Sequence, residues 1–331
     1  MHGLGAWLAI LVGLALVPLA APSAYVLHVL ILGVVFAMLA SSWNLVVGYT
    51  GIFSFAHQAF FGVGAYGSAL LVLNAQISPW LGLLCGGVIA TGLALFIGLP
   101  VLRIRSLPHM AIVTLAFGEI VRILTSNMTW LTRGELGLFG IKPLTNLTLP
   151  FAGTISFSPA NRTAYYYTGI ALFALTTGVI WLIIHSRLGL AFKALRDNQE
   201  AARSLGVNAT RYTLLAFMIG AFMAGVTGAF FAHYTRVLTP SSVMASGLMV
   251  EILAKTLVGG IGTFLGPIFG AFSLTILLEL LRELGGYRLA IYGLLLILVI
   301  LVWPKGLASL RWRRKPEPEP SRTATSPRAT G

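Results

Sequence analysis

The sequence predicts an all-α integral membrane protein: a polytopic helical bundle of about ten (8–10) transmembrane helices with broken or re-entrant segments. Three observations carry this expectation. Apolar residues make up 57% of the 331-residue chain and charged residues only 9%, against about 25% charged in a typical soluble domain, so a water-exposed surface could not be covered. Apolar runs approaching the ~20 residues that a membrane-crossing helix needs recur along the chain. The excess basic residues, which give a net charge of +13, gather in three short stretches, 101–108, 186–211 and 305–331, that hold 10 of those 13 charges. This is the positive-inside pattern, and it argues against the nucleic-acid partner that overall basicity alone would suggest.

In chain order the predicted spans are 4–21, 25–47, 56–74, 79–99, 109–126, 164–185, 212–234, 246–258, 264–284 and 288–303. Residues 4–21 have the look of a signal-peptide core ending near Ala21. No Lys or Arg precedes them, so they read as a first span. The 246–258 run is short for a full crossing. Backbone groups in lipid must be paired within the segment, so these runs are helices. Runs apolar on every face, such as Leu294 to Val302, exclude a barrel strand lining water. With the three basic stretches in the cytoplasm the number of spans between them is even, which puts both termini inside and 127–163 outside. Trp43, Trp80, Trp130 and Trp303 fall at or just beyond span ends, as interfacial aromatics do.

The transmembrane unit is expected over 1–307. The basic tail 308–331, rich in Pro, Ser, Thr and Arg, reads as disordered. The 127–163 connection is rich in turn residues, and its Asn-x-Ser/Thr triplets at Asn127, Asn146 and Asn161 read as chance. The lone Cys85 supports neither a disulfide nor a cysteine metal site.

No catalytic constellation stands out. The six histidines lack metal-ligand spacing, and no Gly-x-x-x-x-Gly-Lys-Ser/Thr loop is present to bind ATP. The chain is expected to be no enzyme and to bind no cofactor or metal. Its informative features are two glycine-rich interruptions in apolar sequence, GYTGIFSFAHQAFFGVGAY (48–66) and LVGGIGTFLGPIFGA (257–271), one in each half. Paired interruptions point to a substrate path at the interface of structural repeats. The candidates in the first are Gly48, Gly51, Ser54, His57, Gln58, Phe60, Phe61, Gly62 and Gly64. In the second they are Gly259, Gly260, Gly262, Gly266, Pro267 and Gly270. Gly262, Gly266 and Gly270 form a double small-xxx-small face with Pro267 inside it, for which helix packing is the plainer reading. Ser54, His57 and Gln58 sit beside a break, where polar groups face either a cavity or a neighbouring helix.

Intramembrane charges are few. Glu119 is three residues before Arg122, and Glu251 four before Lys255, the favoured order for a helical pair. They either face a wet path or neutralise one another near a helix end, with Lys255 snorkelling. Between two spans, the polar, basic, helix-prone segment 187–217 contains Glu-Ala-Ala-x-x-x-Gly: Glu200, Ala201, Ala202 and Gly206. Asp197 or Asn198 can cap a short helix there, and Gly206 suits its left-handed end. Such a helix either docks on a partner or serves as a plain connector.

Together these stretches resemble the permease subunits of bacterial ABC importers for branched-chain amino acids, of the LivM type. The resemblance runs from about residue 30 to 307. It is carried by Gly48, Gly51, Ser54, His57, Phe60, Gly62, Gly64, Ala65 and Tyr66, by AIVTLAFGEIVRIL (111–124), by the 187–217 loop, and by VGGIGTFLGPIFGA and VWPKGL near the end. In TRGELGL (132–138) the family usually has Thr-Gly-Gly, where this chain has Arg133 and Glu135.

The resemblance implies a multi-pass subunit of the bacterial inner membrane surrounded by lipid. It implies as partners a second, LivH-type permease, two cytoplasmic ATPase subunits that hold ATP and Mg, and a periplasmic substrate-binding protein. It makes the 186–211 loop, with Arg196, Asp197, Glu200, Ala201, Ala202 and Gly206, the ATPase-coupling element. Ser54, His57, Gln58, Phe60, Phe61, Glu119 and Glu251 become candidates for the substrate path, with a broken-helix N-terminus for a carboxylate and Phe60 and Phe61 as apolar walls. Urea or short-amide import by the same mechanism is the alternative. A secondary transporter or a membrane assembly protein is the competing class.

Overall fold

The computed structural model describes residues 2–20, 23–102, 104, 106–149, 153–157 and 161–302. The tail 308–331, Trp303, the VWPKGL motif beyond Val302, and Arg103 and Arg105 of the first basic stretch lie outside the described residues.

The helices are α1 (His2–Leu16), α2 (Ala24–Thr50), α3 (His57–Asn74), α4 (Pro79–Val101), α5 (Leu107–Asn127), α6 (Thr129–Thr132), α7 (Arg162–His185), α8 (Arg187–Asp197), α9 (Gln199–Ser204), α10 (Ala209–Thr235), α11 (Pro240–Val243), α12 (Ser246–Gly259), α13 (Gly266–Leu280) and α14 (Arg288–Val302). Six stretches are long and apolar enough to cross a membrane: 24–50, 79–101, 108–127, 162–185, 209–235 and 240–259. The all-helical, polytopic class therefore holds, whereas ten full-length crossings are not reached among the described residues. The reason is length and polarity. α1, α13 and α14 have 15 residues each, a rise of about 22 Å against the ~30 Å of a hydrocarbon core. α3 opens on His57 and Gln58. The expected 264–284 span stops at Leu280 and passes into α14 through a 3₁₀ segment, Leu281–Tyr287.

The core is built on α2 and α10. Residues 37–50 of α2 are all buried, which explains why that helix is apolar on every side. α10 crosses α2, α3 and α4. Where α3, α4 and α10 meet, a Cβ on Gly64 would lie 2.3 Å from the Gly225 backbone, and one on Gly86 would lie 2.6 Å from the Gly64 carbonyl. Small residues let these backbones touch, as in other membrane helix pairs.

The two ends of the bundle differ. At one end gather the C-terminus of α2, the α8–α9 segment and the α12–α13 turn. At the other, the described residues of the 128–157 connection lie by the start of α7 and the end of α10. That connection is more ordered than its turn-rich sequence suggests. Strand β1 (Leu138–Phe139) pairs antiparallel with β4 (Val237–Leu238), and β2 (Leu147–Leu149) with β3 (Gly153–Ile155). His233 Nδ1 hydrogen-bonds the Lys142 carbonyl at 2.7 Å. A loop lying over buried helix ends must pair its own backbone groups, and these short pairings do so without changing the fold class. Arg133 sits there with φ +60°, a left-handed conformation that suits glycine.

Candidate functional site

The first break lies at 51–56, between α2 and α3. α2 ends at Gly51, whose φ of 76° is left-handed and whose N–H reaches the Val47 carbonyl at 3.0 Å. The chain then runs without regular structure beside α2, and α3 starts at His57 with no side-chain cap. Neighbouring helices hold the exposed backbone of this segment. Trp43 Nε1 donates to the Ser54 carbonyl at 2.7 Å, and the Phe55 N–H donates to Thr114 Oγ1 at 2.9 Å. Ser42 Oγ donates to the Leu39 carbonyl at 2.9 Å and meets His57 Nε2 at 2.8 Å. With its one proton used, Ser42 accepts from His57, which makes Nε2 the protonated nitrogen.

The predicted polar trio is brought together, but with unequal freedom. Ser54 and His57 are engaged locally. Gln58 is fully buried, and neither its amide nitrogen nor its amide oxygen has a partner. It lies on the bare backbone of Gly118 in α5, where a Cβ would come within 2.6 Å of Gln58 Nε2. Phe60 and Phe61 do not line an open path. They pack edge-on or tilted against Phe217 and Phe231 between α3 and α10. Gly62 and Gly64 lie inside α3 rather than at the break, facing Met244 and Gly225.

The second break is the turn 260–265. Gly260 and Gly262 have φ of 117° and 74°. Gly262 is therefore in the turn and not on a continuous helical face with Gly266 and Gly270. Pro267 sits in the first turn of α13, where its missing N–H costs nothing, so it breaks no helix. Gly259 and Gly270 are packing positions, since a Cβ on either would lie 1.9 Å from a carbonyl oxygen of the facing helix (Gly266 and Lys255 respectively). The turn is clamped by Asn44 of α2. Asn44 Oδ1 accepts from the Gly262 N–H at 2.8 Å, and Nδ2 donates to the Thr263 carbonyl at 2.9 Å. Gly48, one turn further along α2, lies so close that a Cβ there would be 2.6 Å from the Gly262 nitrogen.

The 186–211 segment folds as two short helices. α8 turns Gly189, Phe192 and Leu195 inward, and Phe192 packs among Leu45, Tyr49 and Ile184. α9 is closed at both ends by its own sequence. Asn198, not Asp197, is its N-cap, accepting from the N–H groups of Glu200 and Ala201 at 3.0 Å. At the other end Gly206 has φ 84°, Val207 N–H bonds the Ala202 carbonyl and Gly206 N–H the Arg203 carbonyl, which is a Schellman cap. Glu200 and Ala201 are exposed. Ala202 is 2% exposed against Leu195 and Ala209, so it faces its own chain. Leu205, not singled out in the sequence, is 84% exposed.

Arg196 is exposed but reaches back to the end of α2. Its Nη1 donates to the Gly48 carbonyl at 3.0 Å, and Nε and Nη2 hold Asp197 at 3.3 and 3.2 Å. The loop and both breaks thus meet at one place. Glu119 and Glu251 do not join them. Glu119 pairs with Arg122 at 2.8 Å, with Glu135 of the far connection 3.8 Å from the same guanidinium. Glu251 pairs with Lys255 at 3.0 Å. Lys255 does not snorkel: it is fully buried, with Nζ over the Phe36 ring. Asn44 and Ser42 were missed in the sequence because their role is to hold segments distant in the chain, and Trp43, expected as an interfacial aromatic, is instead fully buried. A polar residue inside an apolar helix was the available signal for Asn44. Among the described residues no group of three metal-ligand side chains exists.

A family model described as branched-chain amino acid transport system / permease component matches residues 25–303. The high-affinity branched-chain amino acid transport system permease protein LivM of Escherichia coli (strain K12) is 33% identical over 291 residues, covering 83% of this chain and 68% of the relative. The corresponding LivH protein of the same organism is 27% identical over 285 residues, covering 83% and 92%. The autoinducer 2 import system permease protein LsrC of Photorhabdus luminescens is 26% identical over 260 residues, covering 72% and 76%. No solved structure matches. With nearly its whole helical bundle inside the matched region, the chain belongs to the family of branched-chain amino acid transport system permease components.

Proposed function

We propose that this chain forms one half of the membrane pathway of an ATP-driven importer for leucine, isoleucine and valine in the bacterial inner membrane. Its partners in this reading are a related permease of the LivH kind, two cytoplasmic ATPase subunits that bind ATP and Mg²⁺, and a periplasmic substrate-binding protein. Both termini and the α8–α9 segment lie in the cytoplasm. The observation that carries the reading is α9. It is a six-residue helix closed at both ends by its own chain, and it turns Glu200, Ala201 and Leu205 outward. A preformed helix with a charged group and an apolar anchor is suited to a groove on an ATPase, because little ordering is left to do on binding.

In this reading substrate contact falls to Gln58. Its amide is buried without a partner, a state that costs about 1–3 kcal/mol per unmet group. Separation of α3 from α5 would open it to the carboxylate or ammonium of an amino acid. Ser54 and His57 hold the broken segment in place. The permeases named LivM and LivH carry branched-chain amino acids in their names, which supports these substrates over urea or short amides.

The test is uptake of labelled leucine in cells with and without this chain, the partner subunits intact. Loss of uptake, competed in wild type by isoleucine and valine but not by urea or acetamide, is expected. Unchanged leucine uptake alongside lost urea or amide uptake would move the substrate. Block by ionophores rather than by vanadate would replace the ATP-driven mechanism with a secondary one.

A further inference from the structure

Arg196 stands where three parts of the chain meet. Its guanidinium is held on two sides, by Asp197 at 3.2–3.3 Å and by the Gly48 carbonyl at 3.0 Å. That carbonyl belongs to the last turn of α2, whose C=O groups have no partner within the helix and whose dipole favours a cation. The stem of Arg196 lies on Gly51, where a Cβ would be 3.3–3.7 Å from its Cα, Cβ and Cγ. A Cβ on Gly262 would be 3.0 Å from both Arg196 Nη1 and the Gly48 carbonyl. One turn earlier on α2, Asn44 grips the same second turn through Gly262 and Thr263. The end of α8, the end of α2 and the 260–265 turn thus meet at Arg196, which lies at the exposed edge of that contact.

We propose that Arg196 is the positioning residue through which movement of the 186–211 loop reaches both helix breaks at once. The inference rests on the importer reading above. α8 is anchored to the bundle by Phe192, and Leu195 in its last turn packs against Ala202 of α9 across the extended residue Asn198. A push on α9 therefore arrives at the last turn of α8. From there the guanidinium carries it to Gly48, where the first break begins, and Asn44 carries it to the second. Arginine suits the task because a planar fork can hold a carboxylate on one edge and a carbonyl with its remaining amine; lysine offers a point charge on a flexible stem.

The test uses the whole transporter, this chain with its partner permease and ATPase subunits, in proteoliposomes supplied with the binding protein. In Arg196→Gln, ATP hydrolysis should stay within about twofold while leucine uptake per ATP falls by on the order of tenfold, a coupling loss of ordinary size. Arg196→Lys should fall between. Hydrogen exchange read by mass spectrometry separates this role from a merely structural contact. Adding a non-hydrolysable ATP analogue to wild type should alter exchange at both 199–206 and 259–266. In Arg196→Gln the first response should persist and the second vanish. Unchanged uptake per ATP, or a retained response at 259–266, overturns the proposal. If Arg196→Gln does not assemble, Asp197→Asn, which loosens the guanidinium without removing it, should give the same split in smaller measure, and no split there also overturns it. A wild-type complex with no response at 199–206 and no ATP-driven uptake removes the importer reading itself, and the role of Arg196 with it.

Discussion

The two helix breaks look alike in sequence, since both are glycine-rich gaps in apolar runs, yet they are held in different ways. The 51–56 segment is held by side chains of other helices, Trp43 from α2 and Thr114 from α5, and it leaves the amide of Gln58 unsatisfied. The 260–265 turn bonds in part to itself. Thr263 Oγ1 donates to the Gly260 carbonyl at 2.8 Å and accepts from the Gly266 N–H at 3.1 Å, and Asn44 holds it from outside through Gly262 and Thr263. One break displays side chains and the other displays backbone. A broken helix in a membrane can thus serve either to present chemistry or to bend, and glycine content alone does not distinguish the two.

Three experiments bear on this contrast, from the largest expected effect to the smallest. Gly270→Leu places carbon where the Lys255 carbonyl leaves 1.9 Å. We expect the α12–α13 pair to fail to close, with a loss at or above the top of the ~1–3 kcal/mol range for overpacking, seen as aggregation during size exclusion in detergent. A monodisperse variant with wild-type melting would mean that the second break is looser than described. Asn44→Ala strips the partners from two backbone groups of the turn. About 1–3 kcal/mol for each buried group left unpaired should lower the melting temperature and raise hydrogen exchange at 260–265, with little change at 51–56. Equal change at both sites would merge the two breaks into one unit. Gln58→Leu should leave stability unchanged or raise it by about 1 kcal/mol, because an unpaired amide is replaced by an apolar side chain of similar size. Leucine uptake should nevertheless fall. A marked drop in melting temperature would reveal a partner for Gln58 and close its assignment to substrate.

Much of the helical plan was legible in the sequence, because the apolar runs are long and local rules close their ends. Asn198 and Gly206 behave as their residue types require, and α9 lies where the capping pattern puts it. Features fixed by distant contacts were not legible. Nothing local distinguishes Ala201, which faces outward, from Ala202, which packs on Leu195 and Ala209; that difference is set by how α9 docks on α8 and α10. Arg196 reads as one more charge in a basic loop until Gly48, far away in the chain, is placed beside it. Lys255 reads as a snorkelling lysine until α2 covers it. The ten expected crossings are not reached among the described residues for a related reason: apolarity marks what is buried in the bundle as well as what faces lipid, and α13 is apolar without being long.

The Glu251–Lys255 pair on α12, of which Lys255 is buried, has a consequence for how the protein is made. A lone lysine or acidic residue near the centre of a helix costs about 2.5–3.5 kcal/mol on translocon-insertion scales. Glu251 and Lys255 stand one turn apart on the same helix, so α12 can leave the translocon as an electrically neutral segment, before any later helix has been synthesised. Phe36, which lies over the ammonium group, belongs to α2 and is already in the bilayer by then. The charge is thus escorted first by its own helix and then by one made earlier, and the order of synthesis matches the order in which its protection is needed.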